Sequence, residues 1–133
     1  MNREVDEQVV ACPQWIDETM QAIRQVGTRD RPIKPDAILI AYWLLCVIEV
    51  DDLKIPQVAA FGQGGLEIDW EIGTKALTFA IHAKLGIGQR RTKNRKTYLT
   101  STSHDQTKTR VVEWIREGID WLFPNCYEYQ ETS

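Results

Sequence analysis

The sequence predicts an α+β fold: an antiparallel sheet of three or four strands with helices packed on one face, in one small domain. Three observations predict it. Leu66 to Ile72 alternates apolar and acidic residues, the period of a strand with one dry face and one wet face. Apolar residues at helical spacing flank this region, as Trp15, Thr19, Ile23 and Val26 before it and Val111, Trp114, Ile115, Ile119 and Leu122 after it. A chain of 133 residues is the length of one domain with a core of its own.

The elements follow in order. "PQWIDETMQAIRQVG" opens with Pro13 in a first helical turn, carries Asp17 and Glu18 near its positive end, and stops at Gly27. A second helix runs from Pro35 to about Glu49. It is apolar almost all round, which predicts burial on most of its surface. "DDLKIP" ends it. "QVAAF" is a short strand, and "GQGG" a turn. Leu66 to Ile72 and Lys75 to Ala83 form a hairpin with Gly73 first in its tight turn. On the return strand Leu77, Phe79 and Ile81 point one way, Thr78, Ala80 and His82 the other. "GIGQRRTKNRK" is expected as a loop and "KTYLTST" as the last strand. Ser103 and Gln106 match a capping box for the C-terminal helix. Gly118 interrupts that helix at about 1 kcal/mol relative to Ala, a sign of another element packing close. Pro124 ends it, so the domain is expected over 1–124 with a tail at 125–133.

The net charge is only −3, but it is unevenly spread. Ile72 to His104 contains seven Lys or Arg and no acid, leaving 9 basic and 19 acidic residues elsewhere. Such a bipolar chain points to a charged partner. The apolar run Ala37 to Val50 is too short to span a bilayer, and the N-terminus lacks a secretory pattern, so the expected location is the cytoplasm with no membrane contact.

Glu67, Asp69 and Glu71 share one face of their strand, about 7 Å apart. Metal chemistry needs further ligands from another element, and nothing in the sequence supplies one. The row is expected as the solvated face of the sheet. His82 and His104 have no metal-ligand spacing. Cys12, Cys46 and Cys126 show no CxxC pattern, and Cys46 reads as a small core residue. No catalytic residue, metal or cofactor is implied.

The basic segment is the stronger lead. Lys84, Arg90, Arg91, Lys93, Arg95 and Lys96 can neutralise phosphates or carboxylates, and Tyr98 can offer a stacking face. A second expected contact surface is the aromatic C-terminus, with Trp121, Phe123, Tyr127 and Tyr129. Trp43, Trp70 and Trp114 fall on apolar faces and are expected in the core.

The middle of the chain resembles a pattern in many short, uncharacterised bacterial proteins: a Pro-containing helix start, a P-x-V strand, a Gly-Gly turn, L-E-x-x-W, and an apolar return strand. The matching residues are Pro32 to Leu45, Pro56 to Phe61, Gly64, Gly65, Leu66, Glu67, Trp70 and Leu77 to Ile81, within residues 31–86. The resemblance implies a small accessory component, often in mobile-element or defence gene sets of bacteria or phage. The expected function is therefore a non-enzymatic interaction protein, an accessory or regulatory factor binding a larger protein or ribonucleoprotein complex. The alternative is a nucleic-acid-binding module using the basic segment 84–98. The sequence carries no signal of oligomeric state.

Overall fold

The computed structural model describes residues 12–82, 86–103 and 107–127, with the backbone alone at Tyr98. In chain order the elements are α1 (Gln14–Val26), α2 (Pro35–Ile48), β1 (Gln57–Phe61), β2 (Gly65–Ile72), β3 (Lys75–His82), β4 (Gly86–Lys93), β5 (Lys96–Thr102) and α3 (Lys108–Leu122). The five strands form one antiparallel meander in sequence order, with β3 in the middle. The three helices of the described residues lie on one face. This is the expected α+β architecture, with one strand more than expected.

The extra strand is the basic segment. "GIGQRRTK" is β4, not a loop. Its core-side residues are Ile87, Gln89, Arg91 and Lys93, which follow the register of Ile81, Phe79, Leu77 and Lys75 on β3. Three of the four are polar, so the alternation that marks β2 is missing here.

The core lies between the sheet and the helices. Leu66, Ile68, Trp70, Leu77, Phe79 and Ile81 are all fully buried on the helix-covered face, as the alternation requires. Four aromatic rings cross this core in edge-to-face contacts: Trp15 on Trp70, Trp70 on Phe79, and Phe79 on Trp114, each about 6 Å between centroids. The Trp70 indole donates to the Lys54 carbonyl at 2.7 Å, so its one polar atom is satisfied.

Gly27 does stop α1, in an extended conformation. Some local readings need correction. The cap of α3 is Thr107, whose hydroxyl accepts from the Arg110 amide; Ser103 instead accepts from the Ile87 amide at 3.0 Å. Gln106 lies outside the described residues. Trp43 and Cys46 are half-buried. Helix α2 buries Ala37, Ala41, Leu44, Leu45 and Ile48 but leaves Leu39 67% and Tyr42 45% exposed on its outer side. No helix of the described residues is long and apolar enough to cross a membrane.

Candidate functional site at the basic end of the sheet

Two tight turns meet at one end of the sheet. Gly73-Thr74 joins β2 to β3, and Asn94-Arg95 joins β4 to β5. The Asn94 amide donates to the Thr74 carbonyl at 2.8 Å, which ties the turns together. Between them lies a depression of about 640 Å³, lined by Gly73, Thr74, Lys75, Thr92, Asn94 and Arg95 among others.

Pairing across the turns fixes the charge pattern. Lys75 is opposite Lys93, and Lys93 is opposite Lys96. Three lysines thus stand in one row on three adjacent strands, about 4.8 Å apart. Like charges directly opposite destabilise a sheet. Among the described residues no carboxylate forms an ion pair with Lys93, Arg95 or Lys96.

The turn adds a second local cost. Asn94 and Arg95 have φ of 55° and 66°. A two-residue hairpin turn with positive φ at both positions is the type whose second residue is commonly glycine. Asn tolerates the left-handed region, but an arginine there sits about 1–2 kcal/mol above its right-handed alternative.

Behind this row, α3 supplies an aromatic floor. The Lys75 ammonium donates to the Trp121 carbonyl at 3.1 Å and lies 4.9 Å from the Trp121 ring centroid. The contact gives a cation to the negative C-terminal end of the helix. The Arg91 guanidinium lies 5.6 Å from the same ring. Its Nε donates to Gln89 Oε1 at 2.8 Å, and Gln89 Nε2 donates to the Trp114 carbonyl at 3.1 Å. Gln89 is buried directly under Gly118, where a Cβ would come within 2.6 Å of its Oε1. The glycine in mid-helix is there for this close approach.

The structure therefore brings together two surfaces that the sequence left separate. Arg91 from the basic segment and Lys75, which pairs with Lys93, meet Trp121 from the C-terminus. Comparison with protein-family models, with curated proteins and with solved structures finds no match for this chain. The site therefore rests on its own geometry.

Other expected residues fall elsewhere. Arg90 is exposed on the opposite, open face of the sheet, level with Thr78. Phe123 is half-buried against the core, and the Tyr127 hydroxyl donates to the Ile48 carbonyl at 2.6 Å. Packing thus continues past Pro124 to Cys126 and Tyr127. Lys84, His104, Tyr129 and the ring of Tyr98 lie outside the described residues.

The acidic row lies on the open face. Glu71 is exposed, but Glu67 and Asp69 are half-buried, and Asp69 accepts from the Thr78 hydroxyl at 2.7 Å. Among the described residues no cluster of three or more His, Cys, Asp or Glu could hold a metal ion. Burial pushes the Cys12 thiol up and the Cys126 thiol up to about 11, the direction opposite to thiolate activation.

The sequence reading missed Lys75, Gln89 and Gly118 as a group. The signal for Lys75 was its place directly after a tight turn. Hairpin pairing puts it level with the lysines that flank the next turn.

Proposed function

We propose that the protein is a small non-enzymatic interaction protein, an accessory or regulatory factor that engages a larger protein or complex through the basic end of its sheet. The observation that carries this reading is the turn at Lys93 to Lys96. Two like charges face each other there, and an arginine occupies the left-handed position that glycine would fill at lower energy. Both features lower stability at the same spot and both add positive charge. Residues held at such local cost cluster at binding sites. An acidic surface of a partner protein would relieve the repulsion between them. The resemblance of the middle of the chain supports a place in bacterial defence or mobile-element systems, and the cytoplasm is the compartment that fits.

A nucleic-acid backbone is the second reading, favoured by the row of cations and by the indole beside Lys75. Salt separates the two, because phosphate contacts release counterions and affinity then falls steeply with salt.

The test is quantitative capture of partners from host extract by the parent chain and by the triple variant Lys93→Ala, Arg95→Ala, Lys96→Ala. Arg91 is left in place because it is tied to buried Gln89. The variant should keep its circular dichroism and thermal transition, and lose at least tenfold in capture, about 1.4 kcal/mol. Unchanged capture by the folded variant would reduce the basic end to a solvated tip.

A further inference from the structure

Two of the three cysteines come together away from the sheet. Cys12 lies just before α1, and Cys46 lies in the last turn of α2. The start of α1 is held to the end of α2 by the Trp15 indole, which donates to the Val50 carbonyl at 2.8 Å. Between these two ends is a cavity of about 470 Å³, with Cys12, Pro13, Ile16, Tyr42 and Cys46 in its wall. Tyr42 stands one turn before Cys46 on α2, so their side chains share a face. The Tyr42 hydroxyl is in hydrogen-bonding contact with both thiols, and a charge on either thiol acts on the other. Both thiols are half-buried. Cys126 belongs elsewhere, beside Asp120 and Tyr127.

We propose that Cys12 and Cys46 form a dithiol site that a small-molecule disulfide oxidises to a Cys12–Cys46 disulfide, tying the start of α1 to α2. The oxidant is a disulfide of the form R–S–S–R, such as oxidised glutathione. The thiolate of one cysteine attacks a sulfur of R–S–S–R, and the first RS⁻ leaves and takes up a proton. The thiolate of the other cysteine then attacks the protein sulfur of this mixed disulfide, and the second RS⁻ leaves and takes up a proton. One S–S bond and two S–H bonds are lost, and one S–S bond and two S–H bonds are gained. The protein pair is oxidised by two electrons and the small disulfide is reduced by two.

A disulfide needs its two Cβ atoms about 3.8 Å apart. Cys12 has the freedom to meet that requirement. The first bonds of α1 run from the Ile16 and Asp17 amides to the Pro13 carbonyl, so Cys12 precedes the helical ladder and can shift without breaking it. Cys46 is held by α2 and serves as the fixed partner. Burial, then the Asp17 carboxylate, push the Cys12 thiol up, which makes it a poor leaving group once the disulfide has formed. The cross-link closes a loop that contains all of α1 and most of α2, and so restricts the unfolded chain. The proposal rests on two thiols sharing one cavity, whatever else borders it, and is independent of the reading of the basic end.

The test brings the folded full chain to equilibrium at rising ratios of oxidised to reduced glutathione. Free thiols are then alkylated, and intact and peptide masses are read. The expected product has lost two hydrogens, carries a Cys12–Cys46 cross-link within one chain, and keeps an alkylated Cys126. Its thermal midpoint should lie about 5–10 °C above that of the reduced chain and return on reduction. Cys126→Ser should behave as the parent chain does. Cys12→Ser and Cys46→Ser should each stop at a free thiol or a glutathione mixed disulfide, with no such shift in midpoint. A pair that stays reduced at every ratio overturns the proposal. So does a cross-link to Cys126 or to another chain in place of Cys12–Cys46. A Cys12–Cys46 product that unfolds at no higher temperature than the reduced chain overturns it too, since the fold would then not hold the thiols at bonding distance.

Discussion

At the scale of single residues, the end of α2 shows how unpartnered carbonyls are satisfied without a glycine cap. Glu49 takes the left-handed position, φ 52°, and its amide donates to the Cys46 carbonyl. The Val47 carbonyl accepts from Arg116 Nε at 2.7 Å, the Ile48 carbonyl from the Tyr127 hydroxyl, and the Val50 carbonyl from the Trp15 indole. Arg116 also holds the Glu49 carboxylate at 2.7 Å. Tyr127 must stay neutral to donate. Burial, then the neighbouring Cys126, push its hydroxyl well above the ordinary tyrosine value of about 10. Burial likewise pushes the Cys126 thiol from about 9 to about 11. Both folded-state values are raised, so both contributions are complete below the unfolded values and are lost as pH rises through the folded ones. Stability should fall from about pH 9 upward, first through Cys126 and then, above about pH 10, through Tyr127. Urea unfolding of Tyr127→Phe against pH checks this. The variant should be about 1 kcal/mol less stable at pH 7 and show a shallower alkaline decline. An alkaline decline identical to that of the parent chain would remove Tyr127 from the account.

At the scale of elements, the hairpin β2–β3 and strand β4 make a contrast. Leu66 to Ile72 was legible because its core-side positions are all apolar and its outward positions all acidic between Leu66 and Ile72. β4 was not, because Gln89 and Arg91 occupy core-side positions under the margin of α3, where a buried amide is satisfied by the Trp114 carbonyl and by Arg91. No periodicity in the sequence reports such a pair. Gly118 was legible as a close approach, but not what approaches it. Gly118→Ala should raise helix propensity by about 1 kcal/mol and still destabilise, because its Cβ displaces Gln89 and with it Arg91. Gln89→Ala combined with Gly118→Ala should be more stable than the sum of the two single effects predicts. Thermal unfolding of the double-mutant cycle measures this coupling. Strict additivity would mean that the two side chains do not share the space.

At the scale of the whole molecule, the sheet separates three surfaces. The helix-covered face makes the core, the open face carries the acids of β2 with Arg90 two strands away, and the basic end carries the lysine row. The sequence showed the imbalance of charge along the chain, but not that meander pairing would gather Lys75, Lys93 and Lys96 into one row. That row and the strained turn beside it are the central claim: charge kept at a local cost in stability. Urea unfolding of Arg95→Gly beside the parent chain tests it most directly. Glycine relieves the left-handed strain and removes one cation, while losing some backbone entropy. The account predicts a higher midpoint at unchanged slope, a gain of about 0.5–1 kcal/mol. A variant no more stable than the parent would mean that Arg95 occupies its turn at no cost, and would contradict the claim.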